Sequence, residues 1–306
     1  MLTTRIAWLL QNGYVSPGGI LAVTFTNKAA KEMKTRLSAI LPVNVSSMWI
    51  GTFHGLCNRF LRAHYKNAGL PQAFQILDTQ DQLSALKRLC KQYNIDTERF
   101  PPKQLGWFIG NCKEEGLRPK DVVASDPDTR KKIEVYQLYE DQCQREGVVD
   151  FGELMLRSYE LLRDNAPIRE HYQRRFRHIL IDEFQDTNLA QWEIVRMLAE
   201  DHKAVMGVGD ADQAIYKFRG ADYRNIQRFE KAFPDLSTIV LEQNYRSTQN
   251  ILSAANAVIS NNPGRSPKRL WTEQLGGELI LRYLAEDEQD EASYVANELQ
   301  RLIDTD

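Results

Sequence analysis

Four short apolar runs, each ending in polar residues, constrain the fold of this chain more than any other feature of its sequence. They occupy residues 20–25, 179–181, 205–208 and 238–241. Runs this short, with helical patterns between them, are typical of buried parallel strands, because helices cover both faces of such a sheet. The sequence therefore predicts an α/β fold built on a parallel sheet.

Helical periodicity follows the first two runs. After the first, Thr26 or Asn27 can cap a helix. Apolar residues then recur on one face of each predicted helix, which suits packing on a sheet. They are Ala30, Met33, Leu37 and Ile40 in one helix, and Leu189, Trp192, Val195 and Leu198 in the other.

The region between residues 52 and 176 has a different pattern. It shows helical periods, proline breaks at residues 101–102 and at Pro119, and almost no convincing strand. We interpret it as a helical domain inserted into the sheet domain. Farther along, residues 279–283 predict a short strand and residues 288–303 a helix.

Composition narrows the class of protein. Apolar residues make up 42% and charged residues 26% of the chain, as in ordinary globular domains, and no run approaches the ~18 apolar residues of a membrane span. The four cysteines stand far apart, so we expect no zinc site or disulfide framework, and a reducing cytoplasm fits. With 39 basic and 41 acidic residues, any nucleic-acid binding must use a local track.

The run at residues 179–181 ends in two adjacent acids, Asp182 and Glu183. Sheets of this kind bind ligands at the carboxyl ends of their strands, and successive side chains on a strand point opposite ways. In nucleotide hydrolases one such acid holds Mg²⁺ and the other orients the attacking water. Apolar runs that end in Asp-Glu are also common at ordinary strand–loop junctions, so the pair alone leaves both interpretations open.

Characteristic polar segments accompany these runs in a fixed order. They are TFTNKAA at 24–30, GTFH at 51–54, DEFQDTN at 182–188, VGDADQAIY at 208–216, FRGA at 218–221 and EQNYRS at 242–247. Taken together, they closely resemble the UvrD/Rep/PcrA family of superfamily 1 DNA helicases. The resemblance runs over the whole chain and includes segments outside the motifs, such as RIAWL at 5–9 and FQILD at 74–78.

The resemblance implies a RecA-like P-loop NTPase fold with an incomplete parallel sheet. The first motor domain would take residues 1–51 and 177–242, an all-helical domain would be inserted at 52–176, and a second RecA-like domain would begin at 243–306. The implied activity is ATP-dependent 3′–5′ DNA unwinding in the cytoplasm, with ATP and Mg²⁺ as cofactors. The implied partners are single-stranded DNA, junctions of single- and double-stranded DNA, and DNA-repair proteins, with no membrane.

The resemblance also implies roles in a nucleotide site. Asp182 would be the Mg²⁺ ligand and Glu183 the base that positions water. Gln213 would sense the γ-phosphate and couple hydrolysis to DNA. Arg246 would reach the γ-phosphate across a cleft between the motor domains, and Tyr245 would stack on the adenine. Without the resemblance, a Tyr-Arg pair at a helix start is ordinary packing.

Aromatic residues beside the strand ends form the implied DNA side. Proteins hold single strands without sequence preference by stacking bases on aromatic rings and by contacting phosphates. Taken singly, an aromatic residue is more often part of the core. The implied stacking residues are Phe25, Phe53, His54, Phe151 and Phe218, with Lys28 and Arg219 as phosphate partners.

The phosphate-binding pattern Gly-x-x-x-x-Gly-Lys-Ser/Thr does not occur in the sequence. In the family this loop lies just upstream of a helix that resembles residues 2–10, so we expect the chain to begin after it. The loop's N–H groups and lysine hold the β- and γ-phosphates, so we expect no meaningful ATP hydrolysis by this chain alone. Because the strand before the loop would also be missing, we expect a marginally stable or aggregation-prone polypeptide.

Two other functions remain open. A non-catalytic fragment that binds single-stranded DNA or regulates such a helicase would keep the aromatic residues without motor activity. A metal-dependent nuclease would use Asp182, Glu183 and Asp186, although contiguous acids on one strand make a poor two-metal cage.

Overall fold

The computed structural model divides the chain into two units, Met1–Leu236 and Ser237–Asp306. It describes residues 1–200, 204–216, 221–222, 224–262 and 268–305. The predicted DNA-facing residues Phe218 and Arg219 lie outside the described residues.

Strands and helices alternate through most of the first unit. The strands are β1 (Ile20–Thr24), β2 (Trp49–Thr52), β3 (Gln75–Ile76), β4 (Val148–Val149), β5 (His178–Ile181) and β6 (Val205–Gly207). The helices of the first unit are α1 (Leu2–Gln11), α2 (Asn27–Ile40), α3 (Phe53–Ala63), α4 (Thr79–Gln92), α5 (Pro102–Glu114), α6 (Pro127–Glu146), α7 (Phe151–Asp164), α8 (Ala166–Arg175), α9 (Leu189–Ala199) and α10 (Arg224–Ala232). The second unit contains α11 (Gln249–Ile259) and α12 (Glu288–Thr305).

A four-stranded sheet with all strands parallel lies at the centre of the first unit, in the order β2-β1-β5-β6. The prediction of a parallel α/β sheet is therefore confirmed, with β1, β5 and β6 at three of the four expected runs. The sequence pattern missed β2, because Gly51 and Thr52 leave it only two apolar residues.

Side-chain alternation sorts the sheet residues into two apolar layers. In β1, Ile20 and Ala22 face the cluster that contains α1 and α2, whereas Leu21 and Val23 face the cluster built from α3, α7, α8 and α9. All five residues of β1 are buried, as expected for a strand that helices cover on both faces.

The two helices predicted to follow β1 and β5 are present as α2 and α9. The Thr26 side chain caps α2 by accepting a hydrogen bond from the Ala29 amide at 3.1 Å. Ile40 departs from the prediction: it is 48% exposed, because α2 ends there. The predicted apolar residues that are buried are Ala30, Met33 and Leu37 in α2, and Trp192, Val195 and Leu198 in α9.

The region between β2 and β5 is helical, as predicted, except for β3 and β4. These two-residue strands pair in parallel, Gln75 with Val148 and Ile76 with Val149. Helices α4, α5 and α6 share an apolar cluster of their own. The compact unit Met1–Leu236 includes this region together with the sheet. The separation of a helical domain from the sheet domain therefore stays a prediction.

The strands predicted at residues 238–241 and 279–283 are wrong. Neither segment is a strand, and Ile239 and Leu279 are 82% and 81% exposed. In the described part of the second unit, the only strand-like pairing is an isolated bridge between Gln243 and Trp271. An apolar segment without a neighbouring strand has no ladder to complete, which explains why apolar character alone did not produce strands here.

All four cysteines (Cys57, Cys90, Cys112 and Cys143) are free thiols, and only Cys143 is not buried. Across the residues that the structure describes, every helix is too short or too polar to cross a bilayer.

We predict that Leu180→Ala and Ile239→Ala differ sharply in their effect on stability. Leu180 is 1% exposed and belongs to the apolar cluster that contains α1 and α2, so its truncation should lower the free energy of unfolding by about 2–5 kcal/mol. The exposed Ile239 should contribute less than ~0.5 kcal/mol. Urea unfolding of the 306-residue chain measures both, and equal losses would mean that residues 238–241 lie in a buried sheet.

Candidate functional site

The carboxyl end of β5 presents the two predicted acids in different settings. The Asp182 amide still belongs to the sheet, donating to the Val23 carbonyl at 2.8 Å, and Asp182 is half-buried. Glu183 is exposed and has left-handed backbone angles, φ 49° and ψ 47°. This conformation costs a non-glycine residue about 1–2 kcal/mol, and such strain concentrates at functional sites.

Three carboxyl groups crowd this strand end. Burial, with a further contribution from Glu183, raises the pKa of Asp182, while the Glu183 amide and the amino terminus of Met1 partly oppose the shift. Burial and Glu183 likewise raise the pKa of Asp186. One Asp186 oxygen, Oδ1, is buried without a hydrogen-bond partner. A positive charge placed at this strand end would therefore stabilise the carboxylates.

A buried amide, Gln185, links the acids to the loop that follows β6. Its Nε2 donates to Glu183 Oε2 at 2.8 Å, and its Oε1 accepts from the Asp210 amide at 2.9 Å. Gln213 joins the same path, because its Nε2 donates to Asp210 Oδ2 at 2.8 Å. The structure thus connects two predicted catalytic residues, Glu183 and Gln213, through two residues that the sequence did not single out.

A second buried amide, in the first turn of α10, contacts the same acid-bearing segment. Asn225 is 0% exposed, and its Nδ2 donates to the carbonyl oxygens of Thr187 at 2.8 Å and Asn188 at 3.2 Å. The Asp222 amide also donates to the Thr187 carbonyl at 3.0 Å. Residues 210 and 222 are therefore both held by the segment 183–188, which carries the acids.

Phe25 follows β1 and meets Tyr216, with ring centroids 4.9 Å apart. Phe25 keeps 37% of its surface exposed, so it does not belong to the core alone. Sequence reasoning assigned no role to Tyr216. Its only signal was its place at the end of the VGDADQAIY segment.

His54 and Phe151 form a second aromatic pair beside β2. Their ring centroids are 5.8 Å apart and the rings are nearly perpendicular, at 88°. Phe151 is 46% exposed. His54 is also exposed, yet burial of part of its ring lowers its pKa, which favours the neutral imidazole. This pair offers apolar ring surface rather than positive charge.

The remaining predicted DNA residues differ in exposure. Lys28 is exposed in the first turn of α2. Phe53 is half-buried and packs against the apolar cluster beneath β2, so its proposed contact with DNA stays a prediction.

Tyr245 and Arg246 lie in the second unit and are both exposed. The Tyr245 hydroxyl donates to Gln243 Oε1 at 2.7 Å, and the Arg246 amide donates to Asn244 Oδ1 at 2.9 Å. These local contacts involve the Tyr245 hydroxyl and the Arg246 backbone amide, not the Arg246 guanidinium. Its convergence with Asp182 stays a prediction.

Comparison with known families identifies the group to which the chain belongs. A model of the UvrD/REP helicase N-terminal domain matches residues 1–234, and a model of the UvrD-like helicase C-terminal domain matches residues 239–306. The chain belongs to the UvrD/REP helicase family. The resemblance inferred from its polar segments is confirmed.

Several members of the UvrD/REP helicase family align over nearly all of the chain. It is 52% identical over 305 residues to DNA helicase II of Salmonella typhimurium and to that of Escherichia coli, covering 99% of this chain and 42% of either relative. It is 44% identical over 308 residues to ATP-dependent DNA helicase PcrA of Leuconostoc citreum, covering 100% of this chain and 41% of that protein. The chain thus spans about two fifths of the length of these relatives.

The nuclease hypothesis gains no support from the geometry. Within the described ranges, no group of three or more His, Cys, Asp or Glu side chains could hold a metal ion. Asp182, Glu183 and Asp186 therefore do not form a cage of their own.

We predict that Gly209→Ala disturbs the Gln185 link. A Cβ at residue 209 would lie 2.6 Å from Gln185 Oε1 and 3.2 Å from the Phe184 amide nitrogen, so the amide must move or the chain must shift. We expect a loss of about 1–3 kcal/mol in the free energy of unfolding. Gly18→Ala is the matched control, since nothing lies within 4 Å of its added Cβ; losses of the same size would contradict the tight contact.

Proposed function

We propose that this chain carries nucleotide-hydrolysing and DNA-gripping elements of an ATP-dependent 3′–5′ DNA helicase with a RecA-like fold. The observation that carries the proposal is the hydrogen-bonded path from Glu183 through Gln185 and Asp210 to Gln213. It joins the acids to the loop that contains Tyr216. The names of the relatives, DNA helicase II and ATP-dependent DNA helicase PcrA, support the same activity.

The strand end fits a bound Mg²⁺. This ion is usually held by one or two carboxylates together with phosphate oxygens and water. Asp182 offers a carboxylate with a raised pKa, and Asp186 has a buried oxygen without a partner, which a nearby cation would stabilise. When bound with ATP, Mg²⁺ neutralises charge on the β- and γ-phosphates.

Each proposed catalytic residue has a distinct task. Asp182 would hold the metal. Glu183, whose backbone is left-handed, would orient the attacking water. Gln213 contacts the terminal phosphate. From the second unit, Arg246 stabilises transition-state charge, a contribution on the order of 10³–10⁵ in rate, and Tyr245 stacks on the adenine.

Single-stranded DNA is proposed to bind along the aromatic pairs. Bases stack on Phe25 with Tyr216 and on Phe151 with the neutral His54, and Lys28 contacts a phosphate. Phe53, Phe218 and Arg219 complete the proposed track.

Coupling between the two sites follows from the loop between residues 210 and 222. Both its ends are held by the segment 183–188, so a displacement of Glu183 during hydrolysis is passed to Tyr216. In the complete motor, ATP closes the two motor domains and hydrolysis reopens them, which moves the strand along. We place this motor at junctions of single- and double-stranded DNA in the cytoplasm, with DNA-repair proteins as partners.

A non-catalytic protein that binds single-stranded DNA is the second candidate. It is favoured by one observation, that both aromatic pairs lie within Met1–Leu236 and need nothing from the second unit. The two candidates share the DNA track and differ in whether nucleotide is hydrolysed.

We predict that Phe25→Ala and Phe151→Ala each weaken binding of single-stranded DNA. Loss of one stacked base costs about 1–3 kcal/mol, so the dissociation constant should rise about 5- to 150-fold. Fluorescence anisotropy with a labelled oligonucleotide measures it. Tyr93→Ala is the control, because Tyr93 is a similarly exposed aromatic at the end of α4; an equal effect there would remove the case for a track.

We predict that the 306-residue polypeptide does not hydrolyse ATP, with or without DNA. The phosphate-cradling pattern is not among these residues, and loss of even one preorganised donor typically lowers a rate by about 10²–10³. Phosphate release from the purified polypeptide tests this. Glu183→Gln controls for contaminating ATPase, and DNA-stimulated turnover that Glu183→Gln abolishes would contradict the prediction.

A further inference from the structure

A buried cluster of charged side chains lies inside the helical region, and the proposed motor chemistry makes no use of it. Its centre is Lys113 on α5, which is 2% exposed. The Lys113 ammonium lies 2.9 Å from Asp150, 3.0 Å from Glu153 and 3.5 Å from Glu140. Burial alone lowers the pKa of Lys113, but these three carboxylates raise it well above the ordinary lysine value, so the ammonium stays charged.

Two arginines extend the cluster. Arg118 grips Glu153 with both terminal nitrogens, each at 2.9 Å, and also contacts Glu140 at 2.7 Å and Glu160 at 2.7 Å. Arg157 donates to Glu153 at 2.6 Å. Such bidentate, charge-assisted contacts fix the orientation of both partners.

Asp150 is the member of the cluster whose contacts come from the most directions. It is 3% exposed, and its Oδ2 accepts from Lys113 on α5, from the Tyr139 hydroxyl on α6 at 2.9 Å and from Gln82 on α4 at 3.2 Å. Its Oδ1 caps α7 by accepting from the Glu153 amide at 2.7 Å. One carboxylate therefore ties the first turn of α7 to three other helices.

The residues that follow Asp150 show what this anchoring controls. Phe151, the next residue, is 46% exposed and meets His54. Gly152 packs so closely on α5 that an added Cβ would lie 3.1 Å from Lys113 Cβ and Cδ. Phe151 thus lies between two residues that contact Lys113. Asp150 accepts a hydrogen bond from the Lys113 ammonium, and Gly152 packs on the Lys113 side chain.

The energetics favour a positional role over a stabilising one. Removing charges from water is expensive, and well-packed apolar residues often replace a buried ion pair without loss of stability. Four carboxylates face three cations here, and burial together with Glu153 raises the pKa of Glu140, so the cluster does not maximise stability. What it provides is a single arrangement of α4, α5, α6 and α7.

We propose that Asp150, clamped by Lys113, Tyr139 and Gln82, is a positioning residue that sets the Phe151 ring against His54 for stacking on a base of single-stranded DNA. This inference rests on the proposed role of Phe151 in DNA binding. Asp150 does not touch the strand and acts through Phe151.

A double-mutant cycle on the 306-residue chain tests the proposal. Asp150→Asn keeps a cap acceptor for α7 but removes the charge that draws Lys113, and it should raise the dissociation constant for a labelled single-stranded oligonucleotide at least about fivefold. In a Phe151→Ala background the same change should alter the constant less than about twofold. A merely structural loss would weaken binding equally in both backgrounds.

A second variant and a matched control keep the test decisive. If Asp150→Asn does not fold, as judged by circular dichroism, Tyr139→Phe enters the same cycle, because it removes one donor to Asp150 and keeps the ring in place. Asp126 caps the start of α6 and makes no contact with Asp150 or Lys113, so Asp126→Ala should leave the constant unchanged in both backgrounds.

The outcomes separate the two proposals. If Phe151→Ala alone leaves DNA binding unchanged, the DNA role of Phe151 is wrong and the positioning role falls with it. If Phe151→Ala weakens binding but Asp150→Asn and Tyr139→Phe act equally in both backgrounds, the DNA role stands and the positioning role is overturned.

Discussion

The parallel register between β1 and β5 decides which side chains can meet in this protein. Val23 pairs with Ile181, and the Asp182 amide extends the ladder by donating to the Val23 carbonyl at 2.8 Å. Because parallel strands end at one edge of the sheet, Phe25 and Asp182 both lie at that edge, each directly after its strand. A slip of one residue would exchange the two faces of β5 and would bury the carboxylate among apolar residues. The chemistry proposed for this edge therefore depends on one backbone register.

The segment 183–188 connects the proposed nucleotide site with the proposed DNA site. It carries two carboxyl groups, and it also binds the loop between residues 210 and 222 at both ends, through Gln185 and through Thr187 with Asn225. All of these links are buried amide contacts. A buried amide left without its partners costs about 1–3 kcal/mol, so these contacts favour a single arrangement of the acids relative to Asp210 and Asp222. The proposed coupling between nucleotide and DNA would act through these hydrogen bonds.

Much of this could be predicted from sequence, and the exceptions have physical causes. The strand-ending acids Asp182 and Glu183 were visible because apolar runs and motif order are local properties. Residues 238–241 look the same locally and form no strand, because strand formation requires a partner, which local pattern does not encode. Gln185 and Asn225 could not be singled out for a similar reason. Glutamine and asparagine are mostly exposed in proteins, so the sequence alone predicts a surface position for both. The left-handed backbone of Glu183 carries no sequence signal at all, since that conformation usually marks glycine.

The two aromatic pairs lie next to polar contacts of different kinds. Tyr216 follows Asp210, whose amide donates to the Gln185 side chain, and a hydrogen bond between neutral groups contributes only about 0.5–1.5 kcal/mol. Phe151 follows Asp150, and uncoupling one partner of a buried ion cluster costs about 3–5 kcal/mol. The contacts next to the His54–Phe151 pair are therefore more costly to break than those next to the Phe25–Tyr216 pair. In the proposed helicase, a strand advances only if one grip holds while another releases, and the unequal supports of the two aromatic pairs would provide that asymmetry.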